Sequence, residues 1–410
     1  MNTPTSRIPG HRFLHSPGPT RVPDEVAHAM SRQPMDLADP RVGQVIEACE
    51  SGLRRLLATA TSDVFLYAAN GHGAWEATIV NLLAPGQSVL IAGTGHFSES
   101  WAVQAEAFGA SVVRTPWVEG EAIDAAAVEA ALRADRERAI VAVFAVHTDT
   151  ASSLTSDLVA LRAALDASGH PALFVVDVVA SLAAAPFEMD ALRIDVAIGA
   201  SQKGLMVPPG LSFVAVNEAA MAVARRNPMP RFYWDWERRR AEMSYRKFCG
   251  TPPQSLLMGL DAALALLFRE GIAQVHARHR LMADAVHAAV DAWSEGGALR
   301  FFGRVPATRS VSVTSIAVGP GIDPEAVRAI ARERFQVSIA GGLGPLAGRV
   351  LRIGHLGDTN PAMILGALAG VEAALQAQGV PVGTSGTRRA IERLAQAPDQ
   401  PLERGTRPSR

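Results

Sequence analysis

Short apolar runs alternate with helical segments over the first two-thirds of the 410-residue chain, and this alternation constrains the fold more than any other feature. Most runs are continuously apolar, which is typical of strands covered by helices on both faces. The predicted strands are 63–67, 88–92, 111–115, 139–146, 172–177, 195–199 and 211–216. The predicted helices between them include 72–84, 98–108, 124–135 and 156–168. The pattern predicts an α/β fold with a mainly parallel, doubly wound sheet of seven strands.

The pattern changes after about residue 217, where a segment rich in arginine, methionine and aromatic residues (218–250) shows no clear strand. Beyond it the sequence predicts a smaller α+β unit, with elements at 254–270, 272–295, 310–318, 323–335, 336–340, 349–355 and 360–378. We therefore divide the chain into an N-terminal arm, a large domain, a small C-terminal domain with its connecting helix, and a polar tail that we expect to be mobile. These parts are 1–20, 21–255, 256–395 and 396–410.

The composition excludes several classes of protein. A net charge of −1 lacks the positive footprint of a nucleic-acid binder. No apolar run approaches the roughly 18–20 residues that span a bilayer, and the first residues lack the apolar core of a signal peptide. Two cysteines, Cys49 and Cys249, cannot form a disulfide framework, and no His/Cys pattern indicates a metal site. We expect a cytoplasmic enzyme that binds neither nucleic acid, membrane nor metal.

The most informative segment is GASQKGLMVPPGLSF, residues 199–213. In it, Lys203 follows a predicted strand and precedes two glycines and two prolines that fix the loop. Apolar surroundings can lower the pKa of a lysine enough to make it a nucleophile or a base. Taken alone, the segment is better explained by a surface lysine in a turn, so the assignment depends on what precedes it.

Two earlier segments place complementary groups at strand ends, where ligands bind in an α/β sheet. Asp177 ends the apolar strand 172–177, where a carboxylate can pair with a protonated pyridine nitrogen. AANGHGAWEA (68–77) joins a strand to a helix, and backbone amides at a helix N-terminus favour a phosphate. With Lys203, these two segments occur in the order expected of one site for pyridoxal 5′-phosphate (PLP).

The chain resembles the class V aminotransferases, which are PLP enzymes of fold type I, and within them the alanine/serine–glyoxylate aminotransferase group. The resemblance extends over nearly the whole chain. Its most specific blocks are Ser-Gln-Lys-Gly with Pro-Pro-Gly-Leu, and Arg-Ile-Gly-His. The matching segments are PGPTRVP (17–23), ANGHGAWEA (69–77), VDVVASL (176–182), SQKGLMVPPGLSF (201–213), GTPPQSLL (250–257) and LRIGHLGD (351–358).

The resemblance implies a role for each matching residue around the cofactor. Lys203 is the Schiff-base lysine and the proton shuttle between the substrate Cα and cofactor C4′, and Asp177 pairs with the pyridine nitrogen. Val179 packs on one face of the cofactor ring and Phe97 stacks on the other. The residues expected to hold the phosphate are Asn70, Gly71 and His72, with Gln202 nearby.

The resemblance also implies contacts with the substrate and with a second subunit. Arg352 is expected to grip the substrate α-carboxylate through parallel charge-assisted hydrogen bonds, and Gly18 to let the PGPT loop approach the ligand. Either Thr150 or Ser152 is expected near the cofactor's 3′-oxygen. Thr251 is expected to reach the phosphate of a neighbouring subunit, which implies at least a homodimer with shared active sites and leaves a higher oligomer open.

Three features depart from the family pattern or stay open. Phe248 stands where many relatives carry a phosphate-binding tyrosine, and Tyr245, one helical turn earlier, is an alternative for that role. His147 fits either a site residue or a satisfied histidine at a strand end. The RFYWDW segment (231–236) fits either a subunit interface or an internal cluster.

The favoured function is ping-pong transamination from a small L-amino acid (serine, alanine or aspartate) to a 2-oxo acid, with glyoxylate as the favoured acceptor. Pyridoxamine–pyruvate or aminoethylphosphonate transamination on the same fold stays open. An aspartate donor would need a second cation, for which the candidates are the arginines of 225–240, Arg21, Arg349 and His355.

Functions of other classes each lack a required feature. A cysteine desulfurase needs a nucleophilic cysteine in the C-terminal third, and neither cysteine lies there. A non-catalytic PLP-fold binding protein should have lost Lys203 or Arg352, and both are present. A Rossmann oxidoreductase needs G-x-G-x-x-G after its first strand, which ANGHGAWEA does not supply.

Overall fold

The computed structural model describes residues 10–396, which form two main sheets and the helices that cover them. The strands, in chain order, are β1 Phe13–His15, β2 Asp63–Tyr67, β3 Ser88–Ile91, β4 Ser111–Arg114, β5 Ile140–Val146, β6 Thr148–Asp149, β7 Leu154–Thr155, β8 Leu173–Asp177, β9 Val196–Ala200, β10 Ser212–Val216, β11 Leu299–Phe301, β12 Val313–Val318, β13 Val337–Gly341 and β14 Val350–Gly354.

The helices, in the same order, are α1 Asp24–Met30, α2 Pro40–Leu57, α3 Gly71–Leu82, α4 His96–Ala107, α5 Ala125–Ala134, α6 Leu158–Ser168, α7 Glu218–Arg226, α8 Trp236–Arg239, α9 Ser244–Lys247, α10 Gln254–Glu270, α11 Ile272–Ser294, α12 Pro324–Arg334, α13 Pro361–Ala377 and α14 Gly386–Ala395. Among residues 10–396, no helix is long and apolar enough to cross a membrane.

The large sheet contains all seven predicted strands in the order β2-β10-β9-β8-β5-β3-β4. The pairs within β9-β8-β5-β3-β4 are parallel, whereas β10 runs antiparallel to both of its neighbours. The predicted α/β fold with a mainly parallel seven-stranded sheet is therefore confirmed. Because the other six strands share one direction, the loops after β2, β5, β8 and β9 emerge at the same edge.

Except at the edge strand β4, which is largely exposed, both faces of the large sheet are buried, which explains why its strands are continuously apolar. Successive residues of one strand enter opposite core clusters: Val64 and Leu66 face α2, α5, α6 and α10, whereas Phe65 and Tyr67 face α3, α4 and α7. This alternation follows from the two-residue period of a strand. The sheet is therefore held rigidly between two helical layers, and the loops at its edge have a fixed base.

The small sheet has the order β1-β13-β14-β12-β11, and α11 to α14 pack against it. Its edge strand β1 pairs in parallel with β13, although residues 1–20 were expected only as an arm. Three residues are too few for a periodic signal, which is why the sequence did not predict β1. Helix α14 was also not predicted. The domain boundaries at 20/21 and 255/256 stay a prediction, and the tail predicted at 396–410 lies outside the described residues except for Gln396.

Candidate active site

A cavity of about 180 Å³ lies at the edge of the large sheet where the loops after β2, β5, β8 and β9 meet. It brings together most of the predicted site residues, from segments far apart in the sequence. Its lining is Asn70, Gly71, His72, Trp75, Phe97, Val146, Thr148, Thr150, Asp177, Val179, Ala180, Gln202 and Lys203. A larger cavity of about 530 Å³ along α4 contains none of the predicted residues. We therefore assign the site by its chemistry rather than by its volume.

Lys203 lies in the loop after β9, beneath the PGPT loop. Its Nζ donates to the carbonyl of Pro17 at 2.5 Å. The Thr20 hydroxyl donates to the Lys203 carbonyl at 3.0 Å, which ties the two loops together. A Cβ at Gly18 would lie 2.5 Å from the lysine Nζ, and Gly18 has a φ of +131°, so only glycine fits. Gly18 thus contacts the lysine, although it does not line the cavity.

The surroundings of Lys203 favour the neutral amine. Burial, reinforced by the positive charge of Arg352, lowers the pKa of Lys203 to about 8, against the opposing charges of Asp177 and Asp149. A lysine that loses its proton this readily can act as a nucleophile and as a base near neutral pH.

Asp177 is the last residue of β8, and both of its carboxylate oxygens are hydrogen-bonded. The Trp75 indole donates to Oδ2 at 2.6 Å and the Val179 amide donates to Oδ1 at 2.7 Å. Burial nevertheless raises the pKa of Asp177 to about 6. Such a carboxylate gains stability from a cationic partner in the cavity, which a protonated pyridine nitrogen would supply.

The N-terminus of α3 forms one wall of the cavity. Asn70 caps this helix by accepting from the Gly73 amide at 3.2 Å, which leaves the first turn at Gly71 and His72 facing the site. Beside it, Gln202 Oε1 is buried without a hydrogen-bond partner in the part of the chain that the structure describes. A helix N-terminus is suited to a phosphate, and the side-chain Nε2 of the neighbouring Gln202 is a further donor.

Phe97 and Val179 both line the cavity, as the predicted ring contacts require. The backbone of Phe97 is fixed because its amide donates to Asp149 Oδ2 at 3.0 Å. Asp149 is buried and also accepts hydrogen bonds from Thr94, Ala151 and Ser152, so it joins the start of α4 to the loop after β5. Burial raises the pKa of Asp149 despite these donors.

The two residues predicted near the cofactor's 3′-oxygen, Thr150 and Ser152, lie in different environments. Thr150 lines the cavity, whereas Ser152 does not: it is fully buried, and its hydroxyl lies 3.4 Å from the Asp149 carbonyl. Of the two, the structure brings only Thr150 to the site. His147 is buried behind the cavity with Nδ1 2.8 Å from the Ser181 hydroxyl, and burial lowers its pKa to about 4. It is a neutral, hydrogen-bonded histidine at a strand end.

Arg352 reaches the site from the small sheet. It lies on β14, where Nε donates to the Gly341 carbonyl and Nη1 to the Thr150 carbonyl, each at 2.6 Å. Because Thr150 lines the cavity, Arg352 lies just behind its wall. Nη2 has no hydrogen-bond partner within residues 10–396. Burial lowers the pKa of Arg352 to about 10, so the guanidinium keeps its charge at neutral pH.

Thr251 is exposed and lies outside the cavity of its own chain. Nearby, Phe248 is buried and Tyr245 is exposed. The RFYWDW segment is of mixed character, because Trp236 is fully buried while Phe232 is 61% exposed. The segment therefore contributes both to the interior and to the surface.

Two residues at the site were missed by the sequence analysis. Trp75 lies within a quoted motif, but an aromatic residue inside a helix is ordinarily a core residue, and nothing in the spacing shows that it meets Asp177. Asp149 lies in a loop that matches the family pattern only loosely. Its role depends on hydrogen bonds to Phe97 and Thr94, which are distant in sequence.

A family model described as Aminotransferase class-V matches residues 12–347. The chain belongs to the class V aminotransferases. It is 38% identical to the serine–glyoxylate aminotransferase of Methylorubrum extorquens, over 96% of this chain and 98% of that protein. It is 37% identical to the L-aspartate–glyoxylate aminotransferase of Paracoccus denitrificans, over 93% of this chain and 95% of that protein.

Solved structures of the family superpose on nearly the whole chain. The ureidoglycine–glyoxylate aminotransferase of Bacillus subtilis gives a TM-score of 0.87 at 27% identity, covering 95% of this chain and 99% of that one. The pyridoxamine–pyruvate aminotransferase of Mesorhizobium loti gives 0.86 at 27% identity, covering 96% and 99%. The predicted family, enzyme class and PLP dependence of this aminotransferase are thus confirmed.

The residues of the cavity fit PLP. The α3 N-terminus and the Gln202 side-chain N–H groups suit its phosphate, buried Asp177 suits its pyridine nitrogen, and Lys203 offers an amine of lowered pKa. PLP supplies an electron sink that stabilises negative charge developing at the substrate Cα. Within residues 10–396, no cluster of three or more His, Cys, Asp or Glu side chains could hold a metal ion.

Proposed function

We propose that this aminotransferase moves the amino group of a small L-amino acid to glyoxylate in a ping-pong sequence. The observation that carries the proposal is that Arg352, of the predicted carboxylate-binding cations, is the one that reaches the site, where its Nη1 donates to the carbonyl of cavity-lining Thr150. One such cation suits a substrate with a single carboxylate. The two curated relatives described above, whose names both include glyoxylate, support this acceptor.

In the proposed reaction, the residues of this chain orient the substrate and move one proton. The free N–H groups of Arg352 hold the α-carboxylate, which fixes the Cα–H bond relative to Lys203. The neutral Lys203 amine takes the proton from the substrate Cα and would deliver it to cofactor C4′, on the far side of the transferred nitrogen. Asp177 stays ionised and keeps the pyridine nitrogen protonated. Phe97 and Val179 limit the movement of the ring from its two sides.

Most of the candidate cations for a second carboxylate are engaged away from the cavity. Arg349 pairs with Glu119 at 2.7 Å, and Arg21 lies beside Asp24 and Asp358. His355 is buried between two hydrogen-bond partners, Thr314 and Val311. In the segment 225–240, Arg225 pairs with Glu218 and Glu237, and Arg239 donates to backbone carbonyls.

This engagement favours serine or alanine over aspartate as the donor. None of those cations lines the cavity. His72, which does, lies at the α3 N-terminus that is assigned to the phosphate, and burial and neighbouring His96 lower its pKa, so it offers no charge for a second carboxylate.

The proposal includes a homodimer with shared sites and action in the cytoplasm. Thr251 is exposed, and the sequence before it contains large apolar side chains that are also exposed. Phe232, Met243 and Tyr245 are each at least half exposed. Such a patch, with Trp and Tyr nearby, is typical of subunit interfaces. Both cysteines are free thiols, which suits a reducing compartment.

The test is a spectral half-reaction screen. The PLP-loaded enzyme is mixed with serine, alanine, aspartate or pyridoxamine without an acceptor, and the loss of the visible band of the lysine-bound cofactor is followed. We expect serine and alanine to bleach the band fastest, and glyoxylate to restore it faster than pyruvate or 2-oxoglutarate. Bleaching by pyridoxamine alone would support the pyridoxamine–pyruvate alternative, and faster bleaching by aspartate would contradict the donor assignment.

A further inference from the structure

We propose that Trp75 is a positioning residue for Asp177, whose indole N–H fixes the carboxylate in the orientation that receives the pyridine nitrogen and keeps it ionised there. The inference rests on the proposed role of Asp177 as the partner of that nitrogen. It concerns a contact between two side chains of this chain, separated by 102 positions in the sequence.

The geometry fixes the plane of the carboxylate. Each oxygen accepts one short hydrogen bond, from the Trp75 indole at 2.6 Å and from the Val179 amide at 2.7 Å. Rotation of the carboxylate would break both. An ionised carboxylate has about four lone-pair sites, so these two donors leave room for a third, the N–H of the pyridinium. Trp75 and Asp177 both line the cavity, so that third donor can reach them.

Trp75 itself is held in place by a stack of aromatic rings. Its ring lies 5.2 Å from that of Trp101 with an interplanar angle of 11°, and Trp101 in turn lies 4.4 Å from Phe144. The His72 ring centroid is also 4.5 Å away, with an interplanar angle of 46°. Trp75 is 2% exposed and Trp101 is fully buried. Since the indole cannot turn in this stack, its N–H direction is set before the cofactor binds.

The charges around Asp177 explain why the indole N–H of Trp75 affects its protonation. Burial and the like charge of buried Asp149 both favour protonated Asp177, while the Val179 and Trp75 hydrogen bonds and the charge of Lys203 favour the ionised form. The result is a pKa raised to about 6, just low enough for a carboxylate at neutral pH. Loss of the indole donor moves this balance toward the protonated form, which cannot accept a hydrogen bond from the pyridinium as strongly as the ionised form does.

The test measures PLP binding by the cofactor-free enzyme, and not turnover. In Trp75→Phe, which keeps a ring but removes the N–H, we expect PLP affinity at pH 7 to fall about tenfold to a hundredfold, the loss typical of a hydrogen bond to a charged group. Plotted against pH, PLP affinity falls on the acidic side as Asp177 becomes protonated. We expect this acidic limb to lie at higher pH in Trp75→Phe than in wild type. Trp75→His, which restores an N–H donor, should recover part of both effects.

The matched control is Trp101→Phe. Trp101 belongs to the same stack, but its indole N–H has no acceptor in the described part of the chain. We expect its PLP affinity to stay within about threefold and its acidic limb to stay in place. An equal loss in Trp101→Phe would show that ring packing alone matters, and would overturn the inference.

A double-mutant cycle with Asp177→Asn separates this inference from the proposed function. If Trp75 acts through Asp177, Trp75→Phe should change PLP affinity little when Asp177→Asn is already present. A full effect in that background would overturn the inference. If Asp177→Asn alone leaves PLP binding unchanged, then the role of Asp177 fails, whereas unchanged binding in Trp75→Phe alone refutes only the role of Trp75. If Trp75→Phe does not fold, the cycle is run with Trp75→His. The inference is then refuted if Trp75→His changes PLP affinity by the same factor in the Asp177→Asn background as in wild type.

Discussion

The active site at the large sheet and the interior next to the small sheet both bury titratable side chains, and the contrast is clearest between the charged groups of the site and two histidines, His279 and His355. Near the small sheet, His279 donates from Nδ1 to the Val275 carbonyl and accepts at Nε2 from the Gly357 amide. His355 is held similarly, between the Val311 carbonyl and the Thr314 hydroxyl. Each ring is fixed as a neutral tautomer with both nitrogens paired.

In the cavity and directly behind its wall, the buried groups carry formal charges that the protein alone does not pair. Within residues 10–396, Asp149, Asp177, Lys203 and Arg352 form no ion pair within 4.0 Å. The pKa values of all four are shifted toward the neutral forms. Burial of titratable groups is therefore compatible with two outcomes. A buried group that is hydrogen-bonded in its neutral form, such as His279 or His355, has a structural role. A cluster of buried charged groups without partners of opposite charge indicates a site for a charged ligand.

The largest effect should follow from loss of the amine. Lys203→Ala removes the base that moves the proton between carbons, so we expect transamination to fall by at least ~10³-fold, measured with the best donor–acceptor pair. Lys247→Ala is the control, because Lys247 pairs with Glu50 at 2.8 Å away from the cavity and should keep near-normal turnover. Comparable activity in the Lys203→Ala and Lys247→Ala variants would contradict the role of Lys203 as the base.

Loss of the carboxylate grip should have the next largest effect. Arg352→Ala is expected to lower kcat/KM for the donor about 10- to 100-fold, mainly through KM, since hydrogen bonds to a charged group contribute about 1.5–3 kcal/mol. Arg349→Ala, three positions earlier and paired with exposed Glu119, should change kcat/KM less than about threefold. Steady-state kinetics with varied donor checks both, and similar losses in the two variants would refute a specific grip.

A third prediction concerns the stability cost of Asp177. Its folded-state pKa, about 6, lies above the ordinary value of 3.8, so the folded protein binds more protons between these values and its stability falls as pH rises through them. At pH 7 the cost is fully present. Asp177→Asn should therefore stabilise the cofactor-free protein at pH 7 by about 1–3 kcal/mol, while it impairs PLP binding. Urea unfolding at pH 7 and pH 4 checks this, and a less stable Asp177→Asn variant at pH 7 would contradict it.

The smallest effect is expected from the neutral histidines. Burial lowers the pKa of His279 to about 3, so the unfolded chain binds its proton first and stability is lost as pH falls below 6.5. Between pH 7 and pH 5.5, His279→Gln should lose about 1 kcal/mol less unfolding free energy than wild type. His28→Gln, at an exposed position of α1, should behave like wild type. Equal pH slopes in all three proteins would show that His279 is not held neutral.

The strands and the main fold could be predicted because local sequence determines them. Each strand of the large sheet has its own apolar run, whereas β1 has three residues and acquires its structure only by pairing with β13. Within the site, Lys203 and Asp177 were predictable because turn residues and strand ends mark them. The contacts of Trp75 and Asp149 were not, because they depend on side chains that only the folded chain brings together.

The position of Arg352 at the site could not be predicted from the residue pattern alone. Nothing in the periodicity of β14 indicates that its guanidinium meets the Thr150 carbonyl, 202 positions away. Only the resemblance to a family singled it out. Contacts between the two sheets depend on how they pack, which local patterns do not encode.

The central claim, that Lys203 is the amine that holds the cofactor, can be tested by direct chemical mapping. The sequence has only two lysines, Lys203 and Lys247, so the result has few possible forms. The PLP-loaded enzyme is reduced with sodium borohydride, digested and analysed by mass spectrometry. We predict that the peptide containing Lys203 carries the reduced cofactor and that Lys247 is unmodified. A label on Lys247 or on the N-terminal amine, with Lys203 unmodified, would contradict the account.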